Sequence, residues 1–314
     1  MAIIFLTDAL YGGILYRGAG MEFELVHDVN VELAETPIWD SRNGCLYWTA
    51  MFEGKVCEWN PVTKMERRWD TGGRWIASAI PAADKSKLLV VMEGGVFLLD
   101  KETGKLDFVV NPEPGKPQNR FNDSRVDGRG RIFISSVAKT YTTPEYSEDQ
   151  KGKFYMVEKD GKITVIDDAI NQYNTIIWTP DNRKMYVVDT WNATLLEWDY
   201  DLDKGPVGKS RVVLDFKEKY GTPDGLCMDE EGRLYAAHWS GKITVWDKSL
   251  KLKEVIQFPV EQVCCGGFGG TDMKDLYVAT ARFHYTAEQL FDRRGAGGIF
   301  KTRLSVAGLP DHYY

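Results

Sequence analysis

The chain has 314 residues, of which 43% are hydrophobic and 27% charged, a balance that excludes a mainly disordered or collagen-like protein. Lys and Arg total 39 against 46 Asp and Glu, a formal charge of -7, so the concentrated basic surface of a nucleic-acid reader is not expected. The length suits two ordinary domains or one large all-β architecture.

The N-terminal run Met1-Ala2-Ile3-Ile4-Phe5-Leu6 is too short for a signal-peptide core and lacks a basic start. No stretch approaches the length of a membrane helix. Cys45, Cys57, Cys227, Cys264 and Cys265 are odd in number and irregular in spacing, with no disulfide framework or strong zinc pattern. The expectation is a reducing, cytoplasmic setting with no membrane partner, in which the sequon Asn192-Ala193-Thr194 is a chance occurrence.

Short β-rich runs then follow one another between turn residues. They include Cys45-Leu46-Tyr47-Trp48, Lys55-Val56-Cys57-Glu58-Trp59, Leu88-Leu89-Val90-Val91-Met92 and Gly95-Val96-Phe97-Leu98-Leu99. Lys162-Ile163-Thr164-Val165-Ile166 and Lys242-Ile243-Thr244-Val245-Trp246 continue the pattern. Helical periodicity is confined to Thr286–Arg294 and one turn at Phe216–Tyr220. An apolar pair recurs as Leu46-Tyr47, Leu88-Leu89, Ile132-Phe133, Met185-Tyr186, Leu234-Tyr235 and Leu276-Tyr277, at intervals of 42, 44, 53, 49 and 42 residues. A period in the forties with several strands in each repeat marks propeller blades. The expected fold is therefore an all-β, six-bladed β-propeller. Its longest interval holds an inserted loop, Ala138–Lys151. Exposed sheet edges invite association, so ring closure by an N-terminal strand is expected, with Glu22-Phe23-Glu24-Leu25-Val26 as the outer strand of the last blade. Residues 1–20 then form an extension, 21–308 a single propeller domain, and 309–314 a tail.

Counting backward from the anchors exposes a second pattern. Glu35, Asn122, Asn174 and Asp224 each lie ten or eleven residues ahead of an anchor, entering the first strand of a blade. Ala77 and Cys265 or Gly266 hold comparable places in the other two blades. First strands line the channel of a propeller, so these residues converge on its axis. Two carboxylates and two amide oxygens there suit one hard divalent cation, Ca²⁺, Mg²⁺ or Mn²⁺, with Zn²⁺ as an alternative. Singly, Asn122, Asn174 and Asp224 also read as turn formers, and structural stabilisation by the ion stays open beside catalysis. Cys264 and Cys265 read as small residues near the last inner strand.

At these positions the chain resembles the gluconolactonase, regucalcin (senescence-marker protein) and luciferin-regenerating-enzyme family. The resemblance is carried by Glu35-Thr36-Pro37-Ile38-Trp39, Asn119-Arg120-Phe121-Asn122-Asp123, Asn174-Thr175-Ile176-Ile177-Trp178, Asp199-Tyr200-Asp201, Thr222-Pro223-Asp224-Gly225, Cys264-Cys265-Gly266-Gly267-Phe268 and Gly297-Gly298-Ile299-Phe300-Lys301. It implies that Glu35, Asn174 and Asp224 are ligands of a single divalent cation, that Arg120 and Asn122 bind substrate, and that Asp224 is the catalytic acid/base of lactone opening. The implied substrate is a small-molecule sugar lactone (aldonolactone) opened to its aldonic acid. Hydrolysis of another ester or a phosphotriester, or calcium binding without turnover, are the alternatives. Thr175 departs from the family, whose members often have glycine after the asparagine ligand.

Tyr141, Trp191, His238, Trp239 and His284 lie in or near loops after inner strands and are candidates for the pocket rim, with packing between blades as the competing role. Asp189 is a candidate support for the cation-binding loops.

Overall fold

The computed structural model describes residues 4–7, 14–18, 21–139, 151–216, 220–291 and 293–314. Six antiparallel sheets follow one another along the chain. The first is Ala34–Asp40, Cys45–Ala50, Lys55–Trp59 and Glu66–Asp70. The second is Ile76–Pro81, Lys87–Met92, Gly95–Asp100 and Leu106–Val110, and the third Asn119–Val126, Ile132–Ala138, Gly152–Val157 and Ile163–Ile170. The fourth is Tyr173–Trp178, Lys184–Asp189, Thr194–Asp201 and Gly205–Asp215, and the fifth Pro223–Met228, Leu234–His238, Lys242–Trp246 and Leu252–Gln257. Val263–Gly269, Asp275–Thr280 and Ile299–Arg303 begin the sixth. Each recurrent apolar pair lies in the second strand of its blade.

Burial falls from the axis outward. Every residue of the first strand Ala34–Asp40 is buried, whereas the last strand Leu252–Gln257 exposes Lys253, Glu254 and Val255. An inner strand is covered on both faces by neighbouring blades, so burial runs along it without alternation, and its polar residues, as in Asn119–Val126, are buried with the apolar ones. The apolar core is divided into six clusters, one for each junction between blades. Phe133, Trp178 and Tyr200, for example, join the third blade to the fourth, with ring centroids 5.2 to 6.2 Å apart.

The expected ring closure by an N-terminal strand is corrected. Among the described residues no sheet is closed by hydrogen bonds; all six are open. Met21–His27 pairs with Ile299–Arg303 inside the sixth sheet, and Ile14–Gly18 and Ile4–Thr7 extend that sheet outward. It therefore widens one blade and does not bridge to the next. The sixth blade meets the first through side chains, with Val31, Leu33, Trp39 and Trp48 packed with Tyr277, Ala279 and Ile299. Outside the named strands a single bridge, Leu33 to Ala281, accompanies this packing. Dispersion and apolar burial, not a continuous ladder, hold the junction.

The short helix expected at Thr286–Arg294 is observed over Ala287–Phe291. Thr286 Oγ1 accepts from the Gln289 amide at 3.3 Å while Gln289 Oε1 accepts from the Thr286 amide at 2.8 Å, a reciprocal cap. Residues 140–150 of the inserted loop, and 217–219 of the second expected turn, lie outside the described residues. Among the described residues no helix is long and apolar enough to cross a membrane. The C-terminal segment crosses the end of the ring away from the polar cluster. The Leu309 amide donates to the Met228 carbonyl, and the Ala83 amide donates to the Tyr314 carbonyl.

Candidate metal centre

All six inner strands break register at the same level. The skips fall between Glu35 and Ile38, Ile76 and Ser78, Phe121 and Asp123, Asn174 and Ile176, Pro223 and Leu226, and Val263 and Cys265. A bulge bends its strand and re-aims a side chain. Four of these bulges set Glu35, Asn122, Asn174 and Asp224, each at or directly before a skipped residue, on one pocket. Thr36 and Thr175, directly after Glu35 and Asn174, take φ values of 48° and 27°, which few residues with a Cβ adopt. Gly225, after Asp224, is required for another reason: a Cβ there would lie 2.2 Å from the Cys265 Cβ.

Glu35, Asn122, Asn174 and Asp224 line one pocket of 310 Å³, with Arg120, Trp191, Trp239 and His284. Carboxylate oxygens of Glu35 and Asp224 and the Cys264 sulfur lie within 4.8 Å of one another, and all three residues are buried. The Asn122 amide donates to Asn174 Oδ1 at 2.6 Å and to the Tyr173 carbonyl at 2.9 Å. Asn174 Nδ2 donates to the Thr190 hydroxyl at 2.6 Å, which orients its amide and leaves a second lone pair on Oδ1. Trp239 Nε1 donates to Asp224 at 2.5 Å, and the Cys265 thiol donates to Glu35 at 3.1 Å.

Two carboxylates in so small a volume repel. Burial, with the Asp123 charge, pushes Glu35 up to about 7 against the Cys265 hydrogen bond and the Arg120 charge. Burial, then the Glu35 charge, raises Asp224 well above the ordinary carboxylate range. A dication among these donors would relieve both effects, so the residues present fit one. Glu35, Asp224 and the free lone pair of Asn174 are hard donors, and Cys264 is a soft one.

Arg120 is buried, and its Nη1 donates to the Phe121 carbonyl at 2.9 Å. Trp191, Trp239 and His284 line the pocket, whereas His238 does not. The His238 ring has no exposed surface and faces the Gly221 carbonyl and Thr244 hydroxyl inside the fifth blade, because its strand turns it away from the axis. Tyr141 lies outside the described residues. Asp189 binds the backbone and side-chain nitrogens of Asn192, at 3.1 and 2.7 Å. Sequence reasoning missed Cys264 as a member of the central cluster. The available signal was its neighbour Cys265, which holds the comparable offset ahead of Leu276.

Residues 33–282 match the family described as SMP-30/Gluconolactonase/LRE-like region. The chain belongs to this family. Regucalcin of Oryctolagus cuniculus is 30% identical over 302 residues, covering 94% of this chain and 99% of that protein. YvrE of Bacillus subtilis (strain 168), named as a proposed sugar lactone lactonase, is 28% identical over 290 residues, covering 92% and 97%. Among solved structures, a calcium-binding protein, regucalcin, from Agrobacterium tumefaciens matches with a TM-score of 0.86 at 27% identity, covering 94% of this chain and 97% of that one.

Proposed function

We propose that the chain is a divalent-cation-binding propeller, with Glu35, Asn174 and Asp224 holding one ion at the floor of the pocket. The carrying observation is the pair of buried, mutually repelling carboxylates beside an amide oxygen with a free lone pair. Ca²⁺, Mg²⁺ and Mn²⁺ suit the oxygen donors, and the sulfur of Cys264 favours Zn²⁺.

Two uses of the site have support. Calcium binding is favoured by the solved relative from Agrobacterium tumefaciens, which is described as a calcium-binding protein, and the ion can be held with or without turnover. Hydrolysis of a small cyclic ester, such as a sugar lactone, is favoured by the pocket and by the name of the Bacillus relative. When bound, the ion supplies charge neutralisation and polarises an ester carbonyl. Arg120 and Asn122 would bind oxygens of the substrate, and Trp191, Trp239 and Phe283 would wall its ring from solvent. Asp224 would take the proton of an attacking water as the water oxygen bonds to the carbonyl carbon. That carbon then releases the ring oxygen, the proton passes to it, and a hydroxy acid results. An acyclic ester would follow the same steps with a different leaving oxygen; in a phosphotriester the water oxygen would bond to phosphorus as the bond from phosphorus to the leaving oxygen breaks and that oxygen takes the proton.

The test is calorimetry of the chelated protein with Ca²⁺, Mn²⁺ and Zn²⁺, followed by turnover of lactones, aliphatic esters and a phosphotriester with the best-bound ion. Asp224→Asn should lose cation affinity while keeping the fold. Turnover that Asp224→Asn abolishes supports the hydrolase, and binding with no turnover across the panel supports the calcium-binding reading. A parent protein that binds none of the three ions refutes both.

A further inference from the structure

We propose that Asp123 is a positioning residue that presets Asn174 for its cation by clamping Thr175. The inference rests on the reading of Asn174 as a ligand and adds the device that aims it.

Thr175 is the unpaired residue of the fourth blade's bulge, between Asn174 and Ile176. Its φ of 27° lies in the left-handed region, where a β-branched residue is strained. Glycine would accept this conformation without a Cβ penalty; threonine needs an external restraint. Asp123 provides it from the third blade. Its Oδ2 accepts from the Thr175 amide at 2.8 Å and from the Thr175 hydroxyl at 3.0 Å. Its Oδ1 accepts from the Ser124 amide at 2.7 Å and from Arg125 Nη1 at 3.2 Å. Asp123 is buried and Thr175 has no exposed surface, so these bonds are held away from competing water.

The clamp acts on both amides of the centre. Asp123 directly follows Asn122, and Thr175 directly follows Asn174, whose side chains meet at 2.6 Å. One carboxylate therefore couples the bulges of two adjacent blades and sets the direction in which Asn174 leaves the strand. Arg125 backs it from the other side, with Nε 3.7 Å from Asp311 in the C-terminal segment. Residues that orient a metal ligand without touching the metal commonly change affinity by about ten- to a hundredfold when altered.

The test is calorimetric titration of the chelated full chain with Ca²⁺ and Mn²⁺, with urea unfolding of each apo variant to confirm folding. Thr175→Val keeps the volume and removes the hydroxyl without changing charge, and should weaken binding by about tenfold. Thr175→Ser restores the hydroxyl and should bind like the parent. Asp123→Asn should lose about ten- to a hundredfold; should it not fold, the two Thr175 variants decide alone. Parent-like affinity in Thr175→Val, or equal losses in Thr175→Val and Thr175→Ser, overturns the clamp. Asn174→Ala separates the two ideas. If it binds like the parent, the ligand reading fails and the clamp with it; if it loses binding while Thr175→Val does not, only the clamp fails.

Discussion

His238 offers a sharp test of the fold's electrostatics. Its ring lies beside those of Phe216 and Tyr220, with centroids 5.3 and 5.9 Å away. Nδ1 faces the Gly221 carbonyl at 3.2 Å and Nε2 the Thr244 hydroxyl at 2.8 Å, tying down the loop that leads to Asp224. Burial lowers its pKa from 6.5 to about 4, opposed by the Gly221 hydrogen bond and assisted by Lys242. The unfolded chain thus takes up a proton that the folded chain refuses, so this stability is complete above pH 6.5 and is lost as pH falls toward 4. Near pH 5 the loss is about 2 kcal/mol. For a chain of this size that corresponds to about 3 °C in Tm.

The perturbation is His238→Gln, which cannot take up the proton. Urea unfolding of parent and variant near pH 7.5 and near pH 5 gives two stability gaps. Removing the imidazole and its packing costs the same at both pH values, and the titration of every other group cancels in the difference. The gap should shrink by about 2 kcal/mol at the lower pH. An unchanged gap would refute a buried, neutral His238.

Gly225→Ala should lower stability by about 3 kcal/mol and weaken cation binding, because its Cβ would meet that of Cys265 at 2.2 Å; urea unfolding and calorimetry check both. Phe133→Ala should cost about 3 to 5 kcal/mol in urea unfolding, since Phe133 is fully buried among Phe154, Trp178 and Tyr200. Cys264→Ser should reduce Cd²⁺ affinity by about tenfold while leaving Ca²⁺ affinity little changed, as competition calorimetry would show, because sulfur favours the softer ion. Equal effects on both ions would exclude Cys264 from the coordination shell.

Much of the architecture was legible because a propeller is locally periodic. The pairs from Leu46-Tyr47 to Leu276-Tyr277 mark one strand type in six successive sheets, and each sheet forms largely from contiguous chain. The convergence of Glu35, Asn122, Asn174 and Asp224 on one pocket followed from the same regularity, since equal offsets before equivalent strands become equal places around an axis. The closure did not follow. A strand signal at Glu22–Val26 says nothing about whether a sheet ends or continues, and the junction from Trp39 and Trp48 to Tyr277 depends on rings brought together from opposite ends of the chain.

Composition and spacing by themselves determined the all-β class, the six repeats and the oxygen-rich set, because those depend on local strand and turn preferences repeated at a regular interval. Only the tertiary structure decided that Cys264 joins the carboxylates, that His238 turns inward, and that Asp123 holds Thr175. Each of these depends on the exact level of a bulge and on contacts between neighbouring blades. A displacement of one residue in a strand reverses the face of its side chain, and the packed ring selects which register survives.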